Sequence, residues 1–282
     1  MNWNTRITEM IGSRYPVLLG AFAGFDNSKL TGSISEAGGF GVLTASAYTD
    51  IDEFQSAIEN VKKITNEPFG VNFSSPEDIK SGHIFYDFVD IAKDEGIKTL
   101  ITAAARIEKF GNYIKDSGLN WIHKATIIKH AVSGERMGAD AVILTGLEGG
   151  GLKNPKQNTF LINLENAKEH INVPLIASGG ISTGKSLLAA LILGADAVHI
   201  CTAFLATEES PISEKWKRKI IKTDCFDPDF IQKVCHFETP NPKYTDMSMS
   251  VGTVNKIISA RELVENIIEE AETTLKTFKK NQ

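Results

Sequence analysis

Cysteine is scarce: Cys201, Cys225 and Cys235 are the only three in 282 residues. None forms a CxxC, and an odd number cannot all pair, so the expectation is a reduced, cytoplasmic protein without structural disulfides. Cys235-His236 is an adjacent pair of metal-ligating types, but no second pair stands at zinc-site spacing and no metal is expected. No apolar run approaches the roughly 20 residues that span a bilayer. The opening MNWNTRITEMIGSRYP has neither the charged start nor the apolar stretch of a secretory signal, so no membrane association is expected. Lys and Arg number 30 against 35 Asp and Glu, a net charge of −5. The signs are interspersed without an evident basic block, which argues against a nucleic-acid partner and for a small-molecule substrate. A homodimer is compatible with this composition and is not required by it.

What is present is the balance of a soluble globular enzyme, 42% hydrophobic and 23% charged, at a length that fits one barrel or two ordinary domains. Short, nearly continuous Val/Ile/Leu runs recur at 16–20, 40–46, 69–73, 99–104, 121–126, 141–146, 174–178 and 197–202. Such runs are strands buried on both faces, as in a parallel sheet. Helical spacing fills the gaps: Phe54, Ile58, Val61 and Ile64 share a face, as do Ile84, Phe88 and Ile91, and later Val264, Ile267, Ile268, Ala271 and Leu275. Ser182 and Thr183 suit an N-cap. Gly138-Ala139-Asp140 and Gly194-Ala195-Asp196 repeat one phrase before a strand and predict two equivalent junctions.

Eight strands alternating with helices predict an α/β fold, a (β/α)8 TIM barrel over 1–207. An open doubly wound sheet competes, but GAFAGFD after the first strand is not GxGxxG. The rhythm breaks near residue 208. Residues 208–254, with Trp216, Phe226, Phe230, Phe237 and Tyr244, are expected to form a lid that covers the substrate. Residues 255–282 are expected to be a C-terminal helix closing the barrel.

In such barrels chemistry sits at the C-terminal strand ends, and phosphate often binds after strands seven and eight. Gly179 and Gly180 in ASGGI let backbone amides approach an anion. The Thr202 hydroxyl at the end of strand eight would complete the cradle.

VPLIASGGISTGKSLLAALILGADAVHICTAFLATEES resembles the flavin-phosphate half of the nitronate monooxygenase (2-nitropropane dioxygenase) family and of the related flavin-dependent enoyl-ACP reductases. PVLLGAFAGF, SISEAGGFGVLTAS, FGVNF, IHKAT and GADAVILTGLEGGG agree in order with that family's earlier strands and loops. The resemblance implies an FMN-dependent oxidoreductase, with NAD(P)H as a transient donor left open. It places Gly20, Ala21 and Phe22 against the flavin ring through backbone, Asn72 on the pyrimidine edge, and Ser178, Gly179, Gly180, Cys201 and Thr202 around the phosphate. Lys124 would set a positive charge where reduced flavin gathers negative charge. Family members usually carry Gly at the position of Cys201. His123 points away from Lys124 on a strand and is expected to be structural.

One departure stands out. The family carries a His in its strand-six loop, in a motif like E-x-G-G-H; here Glu148-Gly149-Gly150-Gly151 runs into Leu152. Leucine takes no proton, so a general base at this spot is lacking. Candidate catalytic groups are then Lys124, Glu148 and Lys153, with His236 of the lid as a further polar group, although Glu148 as a mere turn cap stays open. The activities compatible with this are oxidation of an already anionic alkyl nitronate or of NAD(P)H, with electrons passed to O2 or an organic acceptor. Transfer from NAD(P)H to an enoyl or quinone acceptor is the alternative, as is a phosphate-binding barrel without turnover. A dehydrogenase of the inosine monophosphate type would need a loop cysteine that GLEGGGLKN lacks.

Overall fold

The structure, a computed structural model, describes residues 1–21, 24–74, 79–103, 107–151, 153–154, 156–235 and 247–281. Among these, eight strands run parallel: β1 (Val17–Leu19), β2 (Gly41–Thr44), β3 (Phe69–Ser74), β4 (Thr99–Ala103), β5 (Asn120–Ala125), β6 (Ala141–Thr145), β7 (Leu175–Ser178) and β8 (Ala197–Ile200). They follow the order β1-β8-β7-β6-β5-β4-β3-β2. The ring closes where β1 reaches β2: Leu19 N–H donates to Phe40 O at 2.9 Å, and Phe40 N–H to Val17 O at 2.8 Å. This is the (β/α)8 TIM barrel, and closure leaves no exposed sheet edge.

The helices are α1 (Arg6–Ile11), α2 (Ser28–Glu36), α3 (Ile51–Lys62), α4 (Phe85–Asp94), α5 (Glu108–Asp116), α6 (Ile128–Arg136), α7 (Phe160–Ala167), α8 (Gly184–Ile192), α9 (Thr202–Leu205), α10 (Glu214–Lys222), α11 (Pro228–Cys235) and α12 (Ala260–Lys280). The repeated Gly-Ala-Asp phrase makes the two equivalent junctions. Gly138 and Gly194 sit at φ 97° and 93°, open to glycine. Asp140 N–H then donates to Trp121 O while its carboxylate accepts from Trp121 N–H, and Asp196 does the same with Leu175. Each aspartate thus sets the register of a neighbouring strand. Arg6 of α1 grips Asp196 with two nitrogens at 2.7 and 2.8 Å, holding the first helix under the barrel.

Several expected boundaries shift. Strand eight ends at Ile200, not at 202, because Cys201 (φ −115°, ψ −67°) turns the chain into α9. α3 stops at Lys62, which leaves Ile64 38% exposed. In α4 the buried stripe is Phe85, Phe88, Val89 and Ala92, with Ile84 and Ile91 only half-buried. Phe85 sets that face by packing edge-on to Phe73 of β3, ring centroids 5.1 Å apart. Thr183, not Ser182, caps α8, in a capping box with Ser186. The expected Ala104 end of strand four lies outside the described residues.

α12 begins after the N-cap Ser259 and buries Val264, Ile267, Ile268 and Ala271, with Leu275 packed at the edge. It lies between α8 and α2 and completes the helical ring. Contact with α8 is backbone-close: a Cβ on Gly184 would stand 2.3 Å from Ala271 N and from Ile267 O. From Glu208 the chain makes an excursion through α10, α11 and a 3-10 turn (Met249–Thr253). It returns to its starting point, where Glu208 N–H donates to Ile258 O at 3.0 Å. The expected lid residues Phe237, Tyr244 and His236 lie outside the described residues.

Two strands carry a buried histidine. His123 of β5 faces the helical layer, filling the space beside Gly134 of α6, with Nδ1 3.2 Å from Thr102 Oγ1. His199 of β8 is paired in register with Leu18 and Ser178. Burial lowers the pKa of His123 from 6.5 to about 4, helped by the charge of His130. Burial, then the charge of Lys124, lowers that of His199 well below 6.5. Both are neutral in the fold at neutral pH.

Two outcomes follow for stability. Gly184→Ala should force α8 and α12 apart and cost about 1–3 kcal/mol, read from urea unfolding midpoints. Because the unfolded chain binds protons at these histidines more readily than the folded one, stability should fall as pH drops from 6.5 toward about 4. A double His123→Gln, His199→Gln protein should lose most of that slope; an unchanged slope would assign acid sensitivity to other groups.

Candidate active site

The C-terminal strand ends collect the polar side chains. β5 alternates, so with His123 turned outward, Lys124 projects into the barrel mouth. Lys124 is half-buried and, among the described residues, makes no hydrogen bond or ion pair. Burial lowers its pKa, with Cys201 opposing the shift. His199 shares this environment, since the Lys124 charge acts on it, and its Nδ1 lies 3.1 Å from Ser178 Oγ. His199 carries no expectation from the motifs above. A polar residue inside AVHICT carried the same signal that singled out Asn72 inside FGVNF.

Asn72 of β3 is buried, 1% exposed, and its side-chain amide donates to Ser74 Oγ at 2.7 Å. Gly20 follows β1 and is pressed on Cys201: a Cβ there would lie 2.6 Å from Cys201 Cβ. Its N–H donates to Ile200 O. Ala21 is half-buried in the same loop, and Phe22 lies outside the described residues. Burial pushes the Cys201 thiol up to about 11, against the pull of Lys124, so it stays protonated at neutral pH.

Gly179 and Gly180 both take positive φ, 97° and 73°. A Cβ on Gly179 would come within 3.0 Å of Gly146 O and Gly149 N, so the loop after β7 lies against the loop after β6. Among the described residues the amides of Gly180, Ile181, Cys201 and Thr202 donate to no protein acceptor. The Thr202 hydroxyl opens α9 rather than closing a strand, and accepts from both Ser248 N–H and Ser248 Oγ at 3.0 Å. Ser182 Oγ meets Thr253 Oγ1, and Met249 N–H donates to Glu148 O at 2.8 Å. The 248–253 turn therefore ties together the loops after β6, β7 and β8. Sequence reasoning gave that turn no role; SMSVGT offers hydroxyls but no pattern that names a target.

Glu148 and Lys153 sit in the loop after β6 with defined partners. Both Glu148 carboxylate oxygens accept Phe160 N–H, at 2.8 and 3.0 Å, so this side chain caps α7. Lys153 is buried and donates to Leu147 O at 2.6 Å and also to Gly149 O. Burial lowers its pKa to about 8, opposed by Cys235 and Glu148. It braces the loop in which the family His is replaced; Leu152 itself lies outside the described residues. Lys124, His199, Ser178 and Cys201 thus form one group at the mouth, while Glu148 and Lys153 hold the adjoining loop. No cluster of metal-ligating side chains is present among the described residues, and no described helix is long and apolar enough to cross a membrane.

This arrangement has close counterparts. The nitronate monooxygenase family model matches residues 4–235. A Mycobacterium tuberculosis protein named (3aS,4S,5R,7aS)-5-hydroxy-7a-methyl-1-oxo-octahydro-1H-indene-4-carboxyl-CoA dehydrogenase is 34% identical over 223 residues, 79% of this chain and 61% of that one. The chain therefore spans about three fifths of that relative's length. A probable nitronate monooxygenase of Staphylococcus saprophyticus is 28% identical, covering 78% of this chain and 73% of its own. FabK from Thermotoga maritima superposes with a TM-score of 0.82 at 26% identity, over 99% of both chains. Matched over most of its length by the family model, and carrying the barrel and loops described above, the chain belongs to the nitronate monooxygenase family of oxidoreductases.

Proposed function

We propose that the chain binds FMN in the barrel mouth and oxidises a small donor, an alkyl nitronate or NAD(P)H, passing the electrons to O2 or an organic acceptor. The observation that carries this reading is Lys124: a half-buried cation with no hydrogen-bond or ion-pair partner among the described residues, at a barrel mouth whose other buried side chains are uncharged at neutral pH, His199 and Cys201 included. A desolvated, unpaired ammonium favours an anionic neighbour. The residues fit the group in a second respect. Among the described residues, four amides at the ends of β7 and β8 are without protein acceptors, and the two positive-φ glycines leave room for an oxyanion to approach.

In this reading Ser178, Gly179, Gly180, Cys201 and Thr202 hold the phosphate, Gly20, Ala21 and Phe22 flank the ring, and Asn72 meets its pyrimidine edge. Bound there, FMN would accept two electrons from the donor and release them to the acceptor. Lys124 stabilises the negative charge that reduction brings. His199 stays neutral and orients the Ser178 hydroxyl. Lys153 keeps the loop after β6 in place, and Glu148 secures the helix that follows. Neither Lys153 nor Glu148 is free to move a proton without giving up a structural partner, so donor oxidation relies on orientation and electrostatics rather than on a base in that loop. In this reading the described parts of the excursion, α10 and the 248–253 turn, limit water at the mouth.

A second reading is an NAD(P)H-dependent reductase of enoyl or quinone acceptors. The missing loop imidazole favours it, because hydride transfer to such an acceptor does not call for a base there. The name of the Mycobacterium tuberculosis relative adds coenzyme A thioesters to the substrate classes to be considered.

The protein purified without added cofactor should show a flavin absorption spectrum, and anaerobic alkyl nitronate should bleach it. Bleaching by NADH or NADPH alone would move the assignment to the reductase. A colourless protein that takes up no added FMN would remove the flavin reading altogether. Lys124→Met should lower the flavin midpoint potential by roughly 30–60 mV, the two-electron equivalent of about 1.4–2.8 kcal/mol. An unchanged potential would strip Lys124 of its electrostatic role.

A further inference from the structure

Charge is not evenly spread over this acidic chain. Helix α10 turns its apolar side inward, burying Ile220 and setting the Trp216 ring edge-on to Phe25, with centroids 6.2 Å apart. Phe25 belongs to the loop after β1, so this contact seats α10 at the rim of the barrel mouth. Lys217, on the same inner side, donates to the Glu208 backbone carbonyl at 3.0 Å and pairs with the Glu214 carboxylate at 3.1 Å. The outer side carries Lys215, Arg218, Lys219 and Lys222, all exposed, at the i, i+3, i+4, i+7 spacing of one helix face. None of these four has an ion-pair partner among the described residues. The acids that follow are committed to their own turn: Asp224 accepts Phe226 N–H and Asp227 accepts Asp229 N–H, both at 2.8 Å.

Like charges three and four residues apart destabilise a helix by a few tenths of a kcal/mol per pair. Here they are concentrated beside a catalytic mouth in a chain of net charge −5. We propose that this face receives the 3′-phospho-ADP portion of a coenzyme A thioester, while the acyl end enters the barrel. The assignment rests on the mouth being the reaction centre and names the substrate class for it. Size decides between polyanions. Four cations over seven residue steps cover about 10 Å of helix, the scale of one phosphomonoester plus one pyrophosphate. A nucleic acid would call for a longer basic track. An acidic carrier protein would bury about 1,200 Å² or more in total, well beyond the outer face of a nine-residue helix.

The test is calorimetric titration of the full-length protein with coenzyme A, butyryl-coenzyme A and 3′-dephospho-coenzyme A, with and without FMN. Coenzyme A should bind about tenfold more tightly than its dephospho form, and added salt should narrow the difference. A protein carrying Lys215→Gln, Arg218→Gln, Lys219→Gln and Lys222→Gln should lose about tenfold in coenzyme A affinity and most of the preference for the 3′-phosphate. Equal affinity of the unmodified protein for the two forms overturns the proposal, as does coenzyme A binding that the fourfold substitution leaves intact. So does capture of an acidic carrier protein without binding of free coenzyme A. If the fourfold protein does not fold, Arg218→Gln and Lys222→Gln singly, together with the dephospho comparison on the unmodified protein, decide the matter. Failure to retain FMN with the coenzyme A preference intact would sink the flavin reading alone; retained FMN without that preference would sink this one alone.

Discussion

Everything at the barrel mouth depends on how β1 closes the ring. β1 is three residues long, yet it must hydrogen-bond to β8 on one side and reach Phe40 on the other. Closure brings Gly20 onto Cys201 so tightly that a Cβ at position 20 would collide with Cys201 Cβ, 2.6 Å away. The loop after β1 and the turn after β8 thereby become one surface. Phe25, a few residues on, carries the contact outward to Trp216 of α10. A short strand that pairs on both sides thus determines where the loops, the excursion after α9 and the basic helix can sit.

The electrostatics of that surface lean toward anions. Lys124 faces the mouth without a carboxylate partner among the described residues. Two acids of the strand-end loops are engaged elsewhere: Glu148 caps α7, and Asp26 accepts the Tyr48 hydroxyl at 2.7 Å, where burial first and then this hydrogen bond raise the pKa of the phenol. Neutral His199 and a protonated Cys201 thiol add no opposing charge at neutral pH. Burial supplies the bias in each case, because a group removed from water resists the charged form unless a partner is supplied. Lys153 shows the contrast. It is buried too, but two loop carbonyls accept its hydrogen bonds, and its task is mechanical.

The excursion that departs at Glu208 and returns at Ile258 is fastened at its neck and along its returning limb. At the neck it is held by the Glu208–Ile258 hydrogen bond and by Glu209 Oε2 accepting Ala260 N–H. On the returning limb it is fastened through Ser248 to Thr202, Thr253 to Ser182 and Met249 to Glu148. Three strand-end loops are therefore coupled through one turn of 3-10 helix.

The alternating apolar runs were enough to call for eight buried parallel strands, since a strand covered on both faces has no polar side to display. Position-specific chemistry was legible where a residue broke its local pattern. Asn72 inside FGVNF, Lys124 inside WIHKAT and the paired glycines of ASGGI all stand out against their neighbours, and both Gly-Ala-Asp junctions behave alike because one backbone geometry suits both. Strand ends were less legible: whether Cys201 extends β8 or turns into α9 depends on the approach of Gly20, 181 residues earlier in the chain. Only the tertiary structure could show that Glu148 caps α7, that Lys153 braces a loop, or that Ser248 holds Thr202, because each role is defined by a partner brought close in space. The same holds for α10. In sequence its cations blend into the interspersed charges of the chain; that four of them share one outward face at the rim of the mouth follows from which side Trp216 and Ile220 bury. Composition and periodicity act locally and determine what each segment can become; the long-range contacts that decide what each side chain does exist only once the ring has closed.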